Sequence, residues 1–177
     1  MLAMIKRYCL QIFFALSVLF GLQLPHFLQQ YELRLQGHFV EANLQLSQYQ
    51  LLADVHFDGD LDALINQHKI SHLALFQDEA SIIEDTYLRV QYLQKKINNM
   101  NKPIWYRLGL LVKEVGQPIF IDTWRDYRAN IVLNQASILV GLAVAILFML
   151  LLELFLFLVK HFTGFIFSSF KKKFSAS

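Results

Sequence analysis

Apolar positions along this chain fall into two long runs and several periodic stripes. The first run extends from Tyr8 to Phe27 or Leu28, with Gln11 and Gln23 as its strongly polar interruptions. The second extends from Ile131 to Val159 and contains Gly141, Met149 and an almost unbroken run of Leu, Ile, Val and Phe. A bilayer core of about 30 Å needs roughly 20 apolar residues in a helix, so both runs qualify as membrane spans. The second is longer than required and is expected to tilt or to begin in the interface.

Between the runs the pattern becomes periodic. Leu28, Tyr31, Leu35, Phe39, Ala42, Leu46, Tyr49 and Ala53 recur at spacings of three and four, which predicts one apolar stripe on a long helix. Pro25 is expected to kink this helix near the membrane surface, and Gly37 to lower its propensity by about 1 kcal/mol against Ala. The helix therefore starts inside the membrane and projects from it. Asp58-Gly59-Asp60 reads as a turn followed by a helix start, with a short helix over Leu61 to His68. Lys69 to Gln77 fits neither a helix nor a strand clearly.

Ser81-Ile82-Ile83-Glu84 has the form of a capping box and predicts a third helix from Ser81, apolar along Ile83, Tyr87, Val90, Leu93 and Ile97. Pro103 suits a first helical turn, after which Ile104, Leu108, Leu111 and Val115 form a stripe that Gly116 ends. Pro118 opens a further short helix carrying Phe120 and Trp124, and Asn134 is placed to cap the second span. No period-two run is long enough for a strand, and no internal repeat is visible. The predicted fold class is all-α. Its parts are a cytoplasmic N-terminus and first span (1–28), an extracytoplasmic helical hairpin or bundle (29–130), a second span (131–160) and a basic aromatic cytoplasmic tail (161–177).

Composition supports a membrane protein. The chain is 55% hydrophobic and only 17% charged, whereas a soluble domain is typically about 25% charged. A net charge of +2 gives no electrostatic footprint for nucleic acid. The lone cysteine, Cys9, rules out an intrachain disulfide or a Cys-based zinc site and is expected to pack as a small hydrophobe.

Charge at the ends of the spans sets the orientation. Lys6-Arg7 precedes the first, and Lys160 with Lys171-Lys172-Lys173 follows the second. The positive-inside rule then places both termini in the cytoplasm and translocates the middle. A cleaved signal peptide fits less well: the first run exceeds the usual 7–15 residue apolar region, and no small-residue cleavage site follows it.

Five groups of residues are candidates for chemistry or binding. Asp58, Asp60 and Asp62 mimic the start of a calcium loop, but Ala63 and Lys69 stand where that loop needs Gly and Glu, so a turn and cap is the better reading. His68 and His72, with Asp78 or Glu79, have loose metal-ligand spacing, and exposed or capping roles are preferred. Glu153 is the sole acid in an apolar span, about 10 Å along the helix from Lys160, which suits an interfacial or helix-pairing role. Gln30, Arg34, His38 and Glu41 line one face of the long helix and form a candidate interaction face. The tail from Phe162 to Phe174, with Phe162, Phe165, Ile166 and Phe170 at helical spacing, reads as an interfacial helix in which Lys171, Lys172 and Lys173 anchor to anionic lipid. The phosphate loop, the dinucleotide glycine pattern, the zinc-protease motif and the nucleophile elbow are all absent from the sequence.

The residues Gly21-Leu22-Gln23-Leu24-Pro25, Gln30-Tyr31, Arg34-Leu35, Gly37-His38 and Glu41-Ala42 resemble a family of uncharacterised bacterial inner-membrane proteins, known only as a domain of unknown function. Gly59, Leu61, Ala63-Leu64-Ile65, Thr123-Trp124 and the second span are similar too, so the resemblance extends from about Ile5 to Val159. It implies a bacterial inner membrane and two spans, and it carries no catalytic residue. The sequence reading is therefore a non-catalytic envelope interaction or scaffold protein without cofactor or metal. Its partners are membrane lipids and an unidentified protein. The alternatives are an accessory subunit of a membrane transport or enzyme complex and, more remotely, an enzyme acting on lipid or cell-wall substrate.

Overall fold

The computed structural model describes the backbone of residues 2–130 and 134–174, and the side chains of 4–5, 7–130 and 134–161. Its helices are α1 (Leu2–His56), α2 (Leu61–Lys69), α3 (Ala74–Ile97), α4 (Ile104–Lys113), α5 (Pro118–Asp126) and α6 (Gln135–Phe174). A 3-10 turn, Asn98–Asn101, follows α3. Among the described residues there is no strand, so the fold is all-α. Two helical segments, Arg7–His56 and Gln135–His161, contain stretches long and apolar enough to cross a membrane. The chain divides into two compact units, one made of Met1–His26 with Arg128–Ser177 and the other of Phe27–Tyr127.

In the first unit, small residues let α1 and α6 approach closely. A Cβ added to Gly21 would lie 2.8 Å from Gly141 Cα and 2.9 Å from Val144 Cβ. Ser17, Leu22, Ser137, Val140 and Ala145 of the same two helices are buried. Ser17-x3-Gly21 on α1 and Ser137-x3-Gly141-x3-Ala145 on α6 are small-residue repeats at four-residue spacing. In lipid, where apolar burial gives no net drive, such repeats allow the backbones to gain dispersion contacts. Phe20 and Phe148 stack alongside with ring centroids 6.0 Å apart. Cys9 is exposed on α1 rather than packed, because the packed face is the one carrying Ser17 and Gly21.

In the second unit, the long stripe of α1 forms the spine of the core. Leu28, Tyr31, Leu35, Ala42 and Ala53 are buried, and Phe39, Leu46 and Tyr49 are half-buried. Phe27, Leu28, Tyr31, Leu35 and Ala42 pack with Leu93 of α3 and Leu111 of α4. Phe27 lies edge-on to three rings of the α5 region: Phe120 at 5.3 Å, Trp124 at 5.7 Å and Tyr127 at 5.2 Å. A smaller cluster joins Ile65 of α2 to Ala80 and Ile83 of α3, with Tyr49 and Leu61 beside it.

The turn chemistry follows the sequence in most places. α1 passes through Pro25 as one helix and ends after His56. Asp58 and Gly59 then take positive φ, and the Asp60 carboxylate accepts from Ala63 N–H at 3.0 Å to cap α2. Pro118 stands in the first turn of α5 and Gly116 has φ +88°. Asn134 Oδ1 accepts from Ser137 N–H at 2.7 Å.

Three local expectations are corrected, and a fourth lies partly outside the described residues. The third helix begins at Ala74, not Ser81, because Phe76 and Gln77 N–H already bond to the Leu73 carbonyl. Ser81 instead donates to the Asp78 carbonyl from within the helix. α4 ends at Lys113, so Val115 leaves the stripe and is exposed. α6 begins at Gln135, and residues 131–133 of the expected span lie outside the described residues. α6 also continues to Phe174 without a break, so the aromatic tail prolongs the second span's helix rather than starting its own.

Candidate functional site

Spacings of four, four and three place Gln30, Arg34, His38 and Glu41 in one line on α1. The second unit surrounds this line with an open groove of about 600 Å³, lined also by Leu33, Gly37 and Asp122 of α5. Gly37 keeps the groove clear at its centre: a Cβ there would meet nothing within 4 Å.

The lining residues are joined to two chains of charges, in which Arg125, Asp126 and Arg89 stand beside the groove rather than in its lining. On the α5 side, Arg34 donates to the Asp126 carboxylate at 2.7 Å. Arg125 reaches Asp126 at 3.5 Å and Asp122 at 2.9 Å. The Arg34 hydrogen bond holds the Asp126 carboxyl below the usual carboxylate range. On the α3 side, Arg89 lies 3.5 Å from both His38 Nδ1 and Glu41 Oε2, and His38 lies 3.8 Å from Glu41. Both sides thus present alternating positive and negative groups that are partly open to solvent. Such a surface can recognise an extended segment by charge-assisted hydrogen bonds. It offers no nucleophile held by a base.

A second polar cluster lies inside the same unit. Arg107 of α4 grips Glu32 of α1 through one guanidinium edge, Nε donating to Oε1 at 2.8 Å and Nη2 to Oε2. Lys96 of α3 pairs with Glu114 after α4 and sits 4.4 Å from the Tyr92 ring centroid. These residues surround a cavity of about 80 Å³ lined by Tyr31, Asn99 and Met100, room for two or three waters. The Tyr31 hydroxyl is buried there without a well-formed hydrogen bond. Burial, then the Glu114 carboxylate, holds its pKa well above the ordinary tyrosine range. Glu114 acts through its charge, since the geometry falls short of a hydrogen bond. Burial alone would lower the Lys96 pKa, but Glu114 and Tyr92 together raise it. This cluster ties α4 to α1 and α3.

The other candidates lie apart. His68 Nδ1 bonds to the Leu64 carbonyl at 2.9 Å, its Nε2 faces Glu79 at 3.6 Å, and its ring is edge-on to Phe76. α2 ends at Lys69, so His72 does not share the helix face of His68. Glu153 is exposed on α6. Lys171, Lys172 and Lys173 fall within α6, but their side chains lie outside the described residues, as do those of Phe162, Phe165, Ile166 and Phe170. Sequence reasoning missed Arg89, Asp122 and Asp126. The last two stand one turn apart on the predicted Pro118 helix, and that spacing was the available signal.

No curated protein and no solved structure matches the chain. A family model described as "Protein of unknown function (DUF2937)" matches residues 5–164, nearly the whole length. The chain belongs to this family of proteins of unknown function.

Proposed function

We propose that this protein is a non-catalytic interaction module of the bacterial inner membrane. α1 and α6 anchor it, both termini are cytoplasmic, and Phe27–Tyr127 stands on the extracytoplasmic side. It displays the polar groove to a segment of an envelope protein. The observation that carries this reading is the groove itself: four aligned α1 side chains with Asp122 around an open floor at Gly37. Alternating charges on both sides favour a polypeptide ligand of mixed charge over a simple anion or cation.

The test is photo-crosslinking of the full chain in intact cells, with a photoreactive residue replacing His38 or Asp122 in the groove, or Lys95 outside it. The reading expects a discrete heterologous adduct from the two groove positions and none from Lys95. Equal labelling at all three, or none, contradicts it.

One observation favours a second reading, an accessory subunit whose spans pair with partner helices. α6 leaves Glu153 and most of its large apolar side chains exposed. Co-purification in mild detergent that is lost on Glu153→Gln would support it.

A further inference from the structure

α1 carries a second apolar stripe, on the face opposite the one that builds the core. Leu33, Val40, Leu44, Leu51 and Val55 are between 55% and 75% exposed, although all belong to the well-packed second unit. With Gly37 and Ser47 their spacing runs four, three, four, three, four and four, the period of a coiled-coil seam. Leu33, Val40 and Ser47 take one core position of the heptad. Gly37, Leu44 and Leu51 take the other; Leu33 and Gly37 also line the groove, so pairing of two copies and capture of an envelope segment at that end exclude each other.

We propose that this stripe is a homodimer seam, occupied by α1 of a second copy lying parallel to the first. Three observations fix the occupant. The period is that of a seam between two like helices, and the inner stripe is already used by α3, α4 and α5. The flanks are also self-compatible. Gln29, Gln36 and Asn43 recur at seven-residue intervals on one side, and Arg34, Glu41 and Gln48 on the other. In a parallel pair these meet as Gln29 with Arg34, Gln36 with Glu41, and Asn43 with Gln48. An amide satisfies either charge, so no like charges meet across the seam. Finally, the area fits a weak pair: the four apolar core side chains expose roughly 450 Å² per copy, so pairing would bury about 900 Å², below the roughly 1,200 Å² at which stable interfaces begin.

The parallel alignment rests on the proposed membrane anchoring, because copies inserted in the same sense carry α1 in the same direction. Gly37 and Ser47 leave gaps in the seam, which makes the pairing weak alone and suited to an anchored protein, where confinement raises the effective concentration.

The experiment uses the full chain in native membranes, with Cys9→Ser as background and single replacements Leu44→Cys, Leu51→Cys or Gln45→Cys. Gln45 is exposed but lies off the stripe. In a parallel seam identical core positions face each other. A short bis-maleimide should therefore link Leu44→Cys and Leu51→Cys into a species of twice the chain mass, several-fold more than Gln45→Cys. Equal linkage at all three positions, no linkage, or an adduct of another mass would overturn the proposal. So would linkage only between copies carrying Cys at positions 40 and 44, as an antiparallel pair would give. Release of the protein by alkaline carbonate would contradict the anchoring alone, because the crosslinking pattern decides the pairing in either fraction.

Discussion

Gly21 and Gly141 meet with no room for a side chain: a Cβ on Gly21 would stand 2.8 Å from Gly141 Cα. Gly21→Val puts a branched side chain against backbone, and backbone has no rotamer with which to yield. Overpacking of this kind costs about 1–3 kcal/mol. Thermal melts of the full chain in detergent should show that loss, and Phe20 and Phe148 should lose their stacking. An unchanged melting temperature would mean that the two helices do not cross at these glycines.

Gly37 predicts the opposite sign. It lies in the same helix, but a Cβ there meets nothing. Gly37→Ala should stabilise the protein by about 0.5–1 kcal/mol through the lost backbone freedom of the unfolded chain. The same melts measure it, and a destabilised variant would show that the groove floor is closed.

Arg107 and Glu32 link α4 to α1 through a two-pronged ion pair, with both side chains at least three-quarters shielded from solvent. Arg107→Ala strands the Glu32 carboxylate and should cost about 1.5–3 kcal/mol, the range for hydrogen bonds to charged groups. Arg125→Ala, whose side chain is 69% exposed, should change stability by less than about 0.5 kcal/mol. Denaturant titration of the two variants should separate them clearly, and similar midpoints would count against the difference in burial.

Tyr31 predicts an alkaline weakness. Burial raises its folded pKa above the unfolded value, so the folded state keeps the proton longer than the unfolded chain does. Its contribution is whole below about pH 10, the unfolded tyrosine value, and is lost as pH rises beyond it. Lys96 and Tyr127 are raised too and act in the same direction. Tyr31→Phe should therefore flatten the fall in melting temperature above about pH 10 without abolishing it. At neutral pH it should cost little, because the hydroxyl has no well-formed bond to lose. A variant with the same alkaline slope as the native chain would refute the link.

Much of the architecture was legible because it depends on local periods. The stripe from Leu28 to Ala53 has helical spacing over its whole length, and seven turns of consistent pattern leave one reading. Asp60 and Asn134 cap as their chemistry requires. Ser81 misled because a capping box also occurs inside a helix, where the hydroxyl turns back to a carbonyl; only the backbone bonds to Leu73 show that the helix had already begun. The groove was half legible. Spacing aligns Gln30, Arg34, His38 and Glu41, but Arg89, Asp122 and Asp126 come from helices 48 to 92 residues away in sequence. Which helix meets which is a property of packing, and no local period encodes it. The Gly21–Gly141 approach was hidden for the same reason: each glycine alone is only a gap in an apolar run.

The central claim is that α1 and α6 cross a bilayer and leave Phe27–Tyr127 on the extracytoplasmic side. Its most direct test is labelling of single cysteines by a membrane-impermeant maleimide, in cells with a permeabilised outer membrane and a Cys9→Ser background. The account predicts that Gln45→Cys is labelled in intact cells and that Lys160→Cys is labelled only after lysis. Labelling of Lys160→Cys in intact cells, with Gln45→Cys protected, would contradict it.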